Sequence, residues 1–436
     1  MDPGTITAFL AIGFIVLVGF FGNLIFSRTR IPDVLILIAV GMIIGPDILG
    51  NRFGIITTEV LFNIDNFKNI ILSAALVIIL FDGGLGLELR SITESMRASL
   101  FFTVVAFLLT TISVGLTLYL IMHIDILLSF CLGAIVGGTS SAIVIPIVSK
   151  MRIHARTKTM LTMESILTDV LVVVVALTIL SIINIGEFNI ISMIKGILSK
   201  LVLGGIVGFI AGIGWLFILQ RLQNQPFSYM LTIAALFIMA GLVEVPPLES
   251  SGAVAALAFG LAISNRESVA RRLRLKSLLF SQNNQIQQFH SEITFFVRTF
   301  FFVYLGMFFR FGTFTEIHLV AGLLIISMVV LARWIVTLLI WRIWNLDSAD
   351  AIAVFSLMPR GLAAAVLATL PAVLLSSSLV WNSSLNNLFL NATLVVILGT
   401  TILTTIFVFF TEKYIDRKKR KEFQEKLYGR SETIAE

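Results

Sequence analysis

Runs of about twenty apolar residues recur along this chain, separated by short polar stretches. A helix of that length crosses the hydrocarbon of a bilayer. Lipid supplies no hydrogen-bond partner, so such a chain can span only as helices or as a closed barrel. Barrel strands are short and alternate in polarity, whereas these runs are long and continuous. Composition agrees: 58% of residues are hydrophobic, 13% are charged, and mean hydropathy is +1.01. A soluble domain carries about 25% charge. The pattern predicts an all-α polytopic membrane protein.

Thirteen segments read as transmembrane helices: 6–27, 32–49, 68–88, 99–121, 126–148, 160–183, 194–219, 227–245, 251–264, 293–309, 317–341, 350–375 and 388–410. The ninth is short, and Pro246-Pro247 breaks the chain before it. With the N-terminus outside and strict alternation, 23 Lys and Arg fall on the cytoplasmic side against 5 outside. Loop Lys and Arg favour the cytoplasm, so the count orients a multi-pass protein of the cell membrane with its C-terminus inside. It also accounts for the pI near 9.5 without any nucleic-acid partner. The run Arg417-Lys418-Lys419-Arg420-Lys421 reads as a solvated tail, with contact to anionic lipid as the alternative. Val269 to Leu275 reads as a surface helix in the longest polar loop. The first residues, Met1-Asp2-Pro3-Gly4, lack the basic region of a cleaved signal. Cys131 is the one cysteine, and four scattered histidines offer no metal-ligand spacing; no resident cofactor is expected.

An odd number of spans suggests two inverted six-helix repeats around a linker helix. Segment five contains Gly137-Gly138-Thr139-Ser140-Ser141 and Pro146. Segment twelve contains Pro359-Arg360-Gly361. The two breaks lie about 220 residues apart, and the same offset carries segment one onto eight, four onto eleven and six onto thirteen. Segment seven is left over as the linker. Paired interrupted helices in inverted repeats point to a transporter's midplane site. Broken backbone at that depth survives only where it is buried in protein or lines a polar cavity. Helix-packing glycines are the plainer reading of segment five taken alone.

The chemistry concentrates in segment six, Met163-Glu164-Ser165-Ile166-Leu167-Thr168-Asp169, which runs straight into seven apolar residues. Acids at such depth are costly and mark ion or proton paths. At 100° per residue, Glu164 and Thr168 share one stripe and Ser165 and Asp169 the next. Asp169 offers an anionic oxygen to Na+ or K+. Ser165, Thr168, Thr139 and Ser140 add neutral oxygens, the last two from the break. A lone aspartate in a dry interior has two low-energy states, protonated or cation-bound. Those exclusive states are what proton/cation exchange requires.

Glu164 needs a counter-charge, and Arg333 in segment eleven supplies one. A structural ion pair is the leading reading, and Glu164 as an ion ligand the alternative. Arg360, at the break of segment twelve, is placed to satisfy helix-end carbonyls and to offset the field of the crossing helices. Arg298 lies near enough to the cytoplasmic edge to snorkel. Asp82 and Glu88, at the inner end of segment three, predict either an acidic funnel for cations or hydrogen-bonded interfacial acids.

Four stretches together carry a family resemblance: Phe81-Asp82-Gly83-Gly84-Leu85, Glu164-Ser165-x-x-Thr168-Asp169, Phe302-Val303-Tyr304-Leu305-Gly306 and Pro359-Arg360-Gly361-Leu362. Along its whole length the chain resembles the monovalent cation:proton antiporters of the NhaP and sodium/proton-exchanger type. The resemblance implies a thirteen-helix fold, a homodimer, and an elevator-like movement of a core against a dimerisation part. It implies ion and proton binding at Asp169 and a Glu164–Arg333 pair. By position the core is 99–183 and 317–410, the dimerisation part 6–88 and 227–309, and the linker 194–219. Residues 1–411 then form the transmembrane domain and 412–436 a short basic tail. Two departures bear on ion choice. Thr168 stands where the family usually has Asn. Thr139-Ser140-Ser141 stands where it often has Thr-Asp-Pro, and resembles the Ser-rich break of the related potassium-efflux branch. The leading expectation is electroneutral Na+/H+ antiport, with K+/H+ antiport as the alternative. A cation channel fits the paired breaks less well. A transport-dead sensor is one non-transport reading. An intramembrane aspartyl protease needs a second catalytic Asp, for which Asp82 is the sole candidate.

Overall fold

A computed structural model describes residues 3–29, 32–50, 68–87, 89–186, 189–222, 228–272, 285–307, 309, 312, 314–375 and 380–432. These residues form helices and no strands. In chain order the helices are α1 (Pro3–Thr29), α2 (Asp33–Ile44, followed by a π turn over Pro46–Gly50), α3 (Lys68–Leu85), α4 (Leu89–Met122), α5 (Ile126–Ile135), α6 (Ser141–Lys150), α7 (Ala155–Ile185) and α8 (Ile190–Arg221). There follow α9 (Ser228–Glu244), α10 (Gly252–Ser264), α11 (Arg266–Arg272), α12 (Gln285–Met307), α13 (Glu316–Trp344), α14 (Ser348–Ser356), α15 (Leu362–Leu374) and α16 (Ser383–Glu432). Each of the thirteen expected segments has its helix, with segments five and twelve each split in two. The surface helix is α11, which ends at Arg272; Leu273 to Leu275 lie outside the described residues. The basic tail continues α16 as helix to Glu432.

Local chemistry explains the ends. Asp125 caps α5 by accepting from the amides of Leu127 and Leu128 at 2.9 and 3.2 Å, which satisfies donors with no partner inside the helix. α7 stops at Gly186, whose φ of +80° suits glycine. Among the described residues, six helices are long and apolar enough to cross a membrane by themselves. The shorter apolar ones include the half-helices α5, α6 and α15.

The packing repeats with the sequence offset. α1 packs on α2 as α9 packs on α10, and α4 on α7 as α13 on α16. α2 of the first repeat crosses α12 of the second, and α3 of the first crosses α10 of the second. At the first crossing Gly41 meets the Val303 carbonyl and Gly306; at the second Gly84 meets the Leu257 carbonyl, and Gly260 the Phe81 carbonyl. A Cβ on any of these four glycines would run into backbone. Gly41 and Gly260, like Gly84 and Gly306, are related by the same offset of about 220 residues. The two repeats therefore interlock through symmetry-related glycine crossings, an arrangement that small residues permit by letting backbones touch. α4 and α13 pack on each other and flank the broken helices. Outer faces of α1, α8 and α9 present Leu10, Phe20, Ile210, Ile238 and Leu242, all more than half exposed. Those are the faces lipid would cover.

Candidate functional site

Gly137 and Gly138 end α5 and leave Val136–Ser140 outside helix; Pro359 and Gly361 do the same between α14 and α15. The two breaks touch. Ser140 N donates to Pro359 O at 2.8 Å. Gly361 is required there, since a Cβ would collide with the Ser140 side chain. The crossing places the freed backbone of both helices in the interior, where each group needs a partner.

The partners come from the last helix of each repeat. Thr139 N donates to Thr168 Oγ1 at 3.1 Å, and Ser141 N to Asp169 Oδ2 at 3.2 Å, both on α7. In the second repeat Arg360 N donates to Thr400 Oγ1 at 3.0 Å and Met358 N to Thr404 Oγ1 at 3.4 Å, both on α16.

Asp169 is buried, 7% exposed, and held on one side only. Its Oδ2 accepts from the Ser141 hydroxyl at 2.6 Å as well as from the Ser141 amide. Its Oδ1 accepts nothing among the described residues. Such a carboxylate is anchored yet keeps one oxygen free for a proton or a cation. Ser141 was missed by sequence reasoning. Three adjacent hydroxyls look alike until the break shows which one faces Asp169, although Ser141 opens α6 and so offers a free amide as well.

The other expected ligands are placed as follows. Thr168 Oγ1 lies 3.4 Å from Thr139 Oγ1 and donates to the Ser165 or Thr139 carbonyl. The Ser165 hydroxyl donates to Thr162 O of its own helix at 2.9 Å, and its remaining capacity is as an acceptor. Ser140 lies against Gly361 across the break. One turn before Asp169, Glu164 Oε1 accepts from Arg333 Nη1 at 3.1 Å, with side chains 1% and 4% exposed. Arg333 also donates from Nε to Val354 O at 2.8 Å and stacks over Phe102. The pair thereby ties α7, α13, α14 and α4 together. Arg360 is 3% exposed. Its charge reaches Glu164 and Asp169, but Nε and Nη1 cap no carbonyl. The threonines of α16 serve the freed amides of this break.

Arg298 pairs with Asp33, the first residue of α2, with Nη2 donating to Oδ2 at 2.7 Å. Asp33 opens a span and gave no sign in sequence of a long-range partner. Asp82 is half-buried beside the charge of Arg298. Glu88 lies outside the described residues. No cluster of three His, Cys, Asp or Glu able to hold a metal occurs among the described residues.

Residues 12–413 match the family described as "Sodium/hydrogen exchanger, transmembrane". The chain is 26% identical over 314 residues to the probable Na(+)/H(+) antiporter 2 of Methanocaldococcus jannaschii, covering 70% of each chain. It is 27% identical over 260 residues to the K(+)/H(+) antiporter NhaP of Alkalimonas amylolytica, covering 59% of this chain and 43% of that one. It thus spans less than half the length of the latter relative. The fold is that of the sodium proton antiporter MjNhaP1 from Methanocaldococcus jannaschii, with a TM-score of 0.74, 20% identity, and 93% and 98% of the two chains covered. With the paired breaks, the acids of α7 and a family match across nearly its whole length, this chain belongs to the sodium/hydrogen exchanger family.

Proposed function

We propose that this chain exchanges one monovalent cation, Na+, for one H+ at Asp169. The half-held carboxylate carries the reading: Oδ2 is fixed by Ser141 while Oδ1 is open. A proton or a cation at Oδ1 adds the same single charge. With Asp169 ionised, Glu164, Arg333, Arg360 and Asp169 sum to zero charge, so the proton-loaded and cation-loaded sites are electrostatically equivalent. That equivalence supports electroneutral exchange. The cation's remaining ligands are neutral oxygens from Thr139, Ser140, Ser141, Ser165 and Thr168. Glu164–Arg333 is structural in this reading. The two ligands exclude each other, so apparent cation affinity falls as pH drops.

Alternating access is assigned to movement of a core, 99–183 and 317–410, against a dimerisation part, 6–88 and 227–309, with 194–219 as linker. The working unit is a homodimer in the cell membrane, with the N-terminus outside and the C-terminus cytoplasmic. K+/H+ exchange is the second reading. It is favoured by the hydroxyl-only break Thr139-Ser140-Ser141 and by relatives named as K(+)/H(+) antiporters. Dissipation of a pH gradient in proteoliposomes, run with Na+, Li+ and K+ and with a voltage clamp, tests all of this. The expected result is voltage-independent, Na+-driven proton flux. No flux with any of the three ions would reject the exchange, a K+ preference would select the second reading, and a voltage-dependent rate would reject one-for-one exchange.

A further inference from the structure

Pro146 lies in α6 four residues after Ala142. Proline has no N–H, so the carbonyl of Ala142 receives no helical hydrogen bond from that position. Arg298 Nη1 donates to that carbonyl at 3.4 Å, from α12. The same guanidinium donates from Nη2 to Asp33 Oδ2 at 2.7 Å, with side chains 14% and 8% exposed. Asp33 and Arg298 belong to α2 and α12, the two helices interlocked where Gly41 meets Gly306. Their pair therefore joins two helices of the dimerisation part in the proposed mechanism. Ala142 belongs to the proposed core, one residue beyond Ser141, whose amide and hydroxyl hold Asp169. One side chain thus reaches from the interlocked helices to the first turn of the half-helix that presents the ion site.

We propose that Arg298, aimed by Asp33, is a positioning residue that latches α6 to the α2–α12 pair through the carbonyl freed by Pro146, and that the latch must open for the site to change sides. The proposal rests on the reading that the core moves against the dimerisation part. Arginine suits the task because its planar fork serves two acceptors at once. Lysine offers a point charge and keeps the ion pair without the second arm. The freed carbonyl gives an independent handle, because Pro146→Ala restores an amide to Ala142 O without touching any charge.

The test uses the full chain in proteoliposomes, in a Cys131→Ser background carrying Ala142→Cys as a labelling site. Maleimide labelling of the introduced thiol is followed with Arg298, Arg298→Lys, Arg298→Gln, Asp33→Asn and Pro146→Ala. Cation-driven proton flux is measured for the same set without Ala142→Cys. Loss of a hydrogen bond from a charged donor is worth about tenfold in an equilibrium. The latch predicts that Arg298→Lys and Pro146→Ala both raise the labelling rate about tenfold and alter maximal flux, although Lys retains the charge. Parental labelling in Arg298→Lys and Pro146→Ala would overturn it and leave Arg298–Asp33 a simple ion pair. An inactive parent would instead reject the exchange reading; the labelling series would still decide whether the contact opens.

Discussion

The two broken helices are built alike and held differently. In the second repeat, neutral hydroxyls of Thr400 and Thr404 catch the freed amides of Arg360 and Met358. In the first, Thr168 catches Thr139, but an aspartate catches Ser141. The second repeat demonstrates that threonine suffices to hold such a break. The carboxylate at Asp169 is therefore more than the architecture needs, and its burial is expensive. The charges divide the same way: the first repeat brings the acids Glu164 and Asp169, and the second brings Arg333 and Arg360. A symmetric backbone carries an asymmetric electrostatic site.

The sharpest way to break this comparison is Asp169→Asn. The amide oxygen still accepts from Ser141 N, so the variant is expected to stay monodisperse and folded while exchange is abolished. Retained flux would remove Asp169 from the mechanism, and loss of the fold would make the carboxylate architectural after all. Next in size is the pair that joins the repeats. Arg333→Ala should cost roughly 3–5 kcal/mol by leaving Glu164 buried and alone. Adding Glu164→Gln should recover part of that, measured as a double-mutant cycle on thermal or denaturant stability. Strict additivity would show that the two are not coupled.

A subtler contrast sets Ser141→Ala against Thr400→Ala, one for each break. Losing a hydrogen bond to a charged group is worth about 1.5–3 kcal/mol, so Ser141→Ala should weaken apparent cation affinity by about tenfold or more. Thr400→Ala should lower stability by about 1 kcal/mol and leave affinity almost unchanged. Equal effects on affinity would mean that both breaks line the site. The smallest effect lies at the far end of α16. Lys418 Nζ donates to both oxygens of Asp347 at 2.7 and 2.8 Å, ahead of α14. That hydrogen bond holds Asp347 below the usual carboxylate range. A depressed folded value means that the stabilisation is present at neutral pH and disappears as pH falls through that value. Both side chains are more than a third exposed, so Lys418→Met should cost under about 1 kcal/mol after screening. The difference from the parent should shrink in acid and in high salt; a difference that persists in both would assign the contact to packing.

Much of the fold was legible because its signals are local. Apolar run length gave the spans, and Gly-Gly and Pro-Arg-Gly gave the breaks. Arg333 could be matched to Glu164 because a buried charge demands a partner and few candidates lie at that depth. The unread parts depend on distance in sequence. Asp33 and Arg298 are 265 residues apart, and each alone resembles an interfacial charge. Ser141 differs from Ser140 only by the direction in which a broken backbone turns it. Gly41 and Gly306 look like ordinary membrane-helix glycines until the crossing brings their backbones together. Arg360 was expected to donate to helix-end carbonyls, but its Nε and Nη1 reach none; the freed amides of the same break go to Thr400 and Thr404, 40 and 46 residues on, which no local pattern announces.

The Glu164–Arg333 pair also imposes an order in time. The partners are separated by 169 residues. At ordinary rates of synthesis, roughly ten to thirty seconds pass between the making of one and the making of the other. Through that interval Glu164 has no Arg333 to pair with, and α2 and α3 lack the α12 and α10 helices on which they pack. Neither half can complete its own interior. Two halves that repeat one motif are therefore not separable units, because each leaves helix faces and a charge that only the other covers.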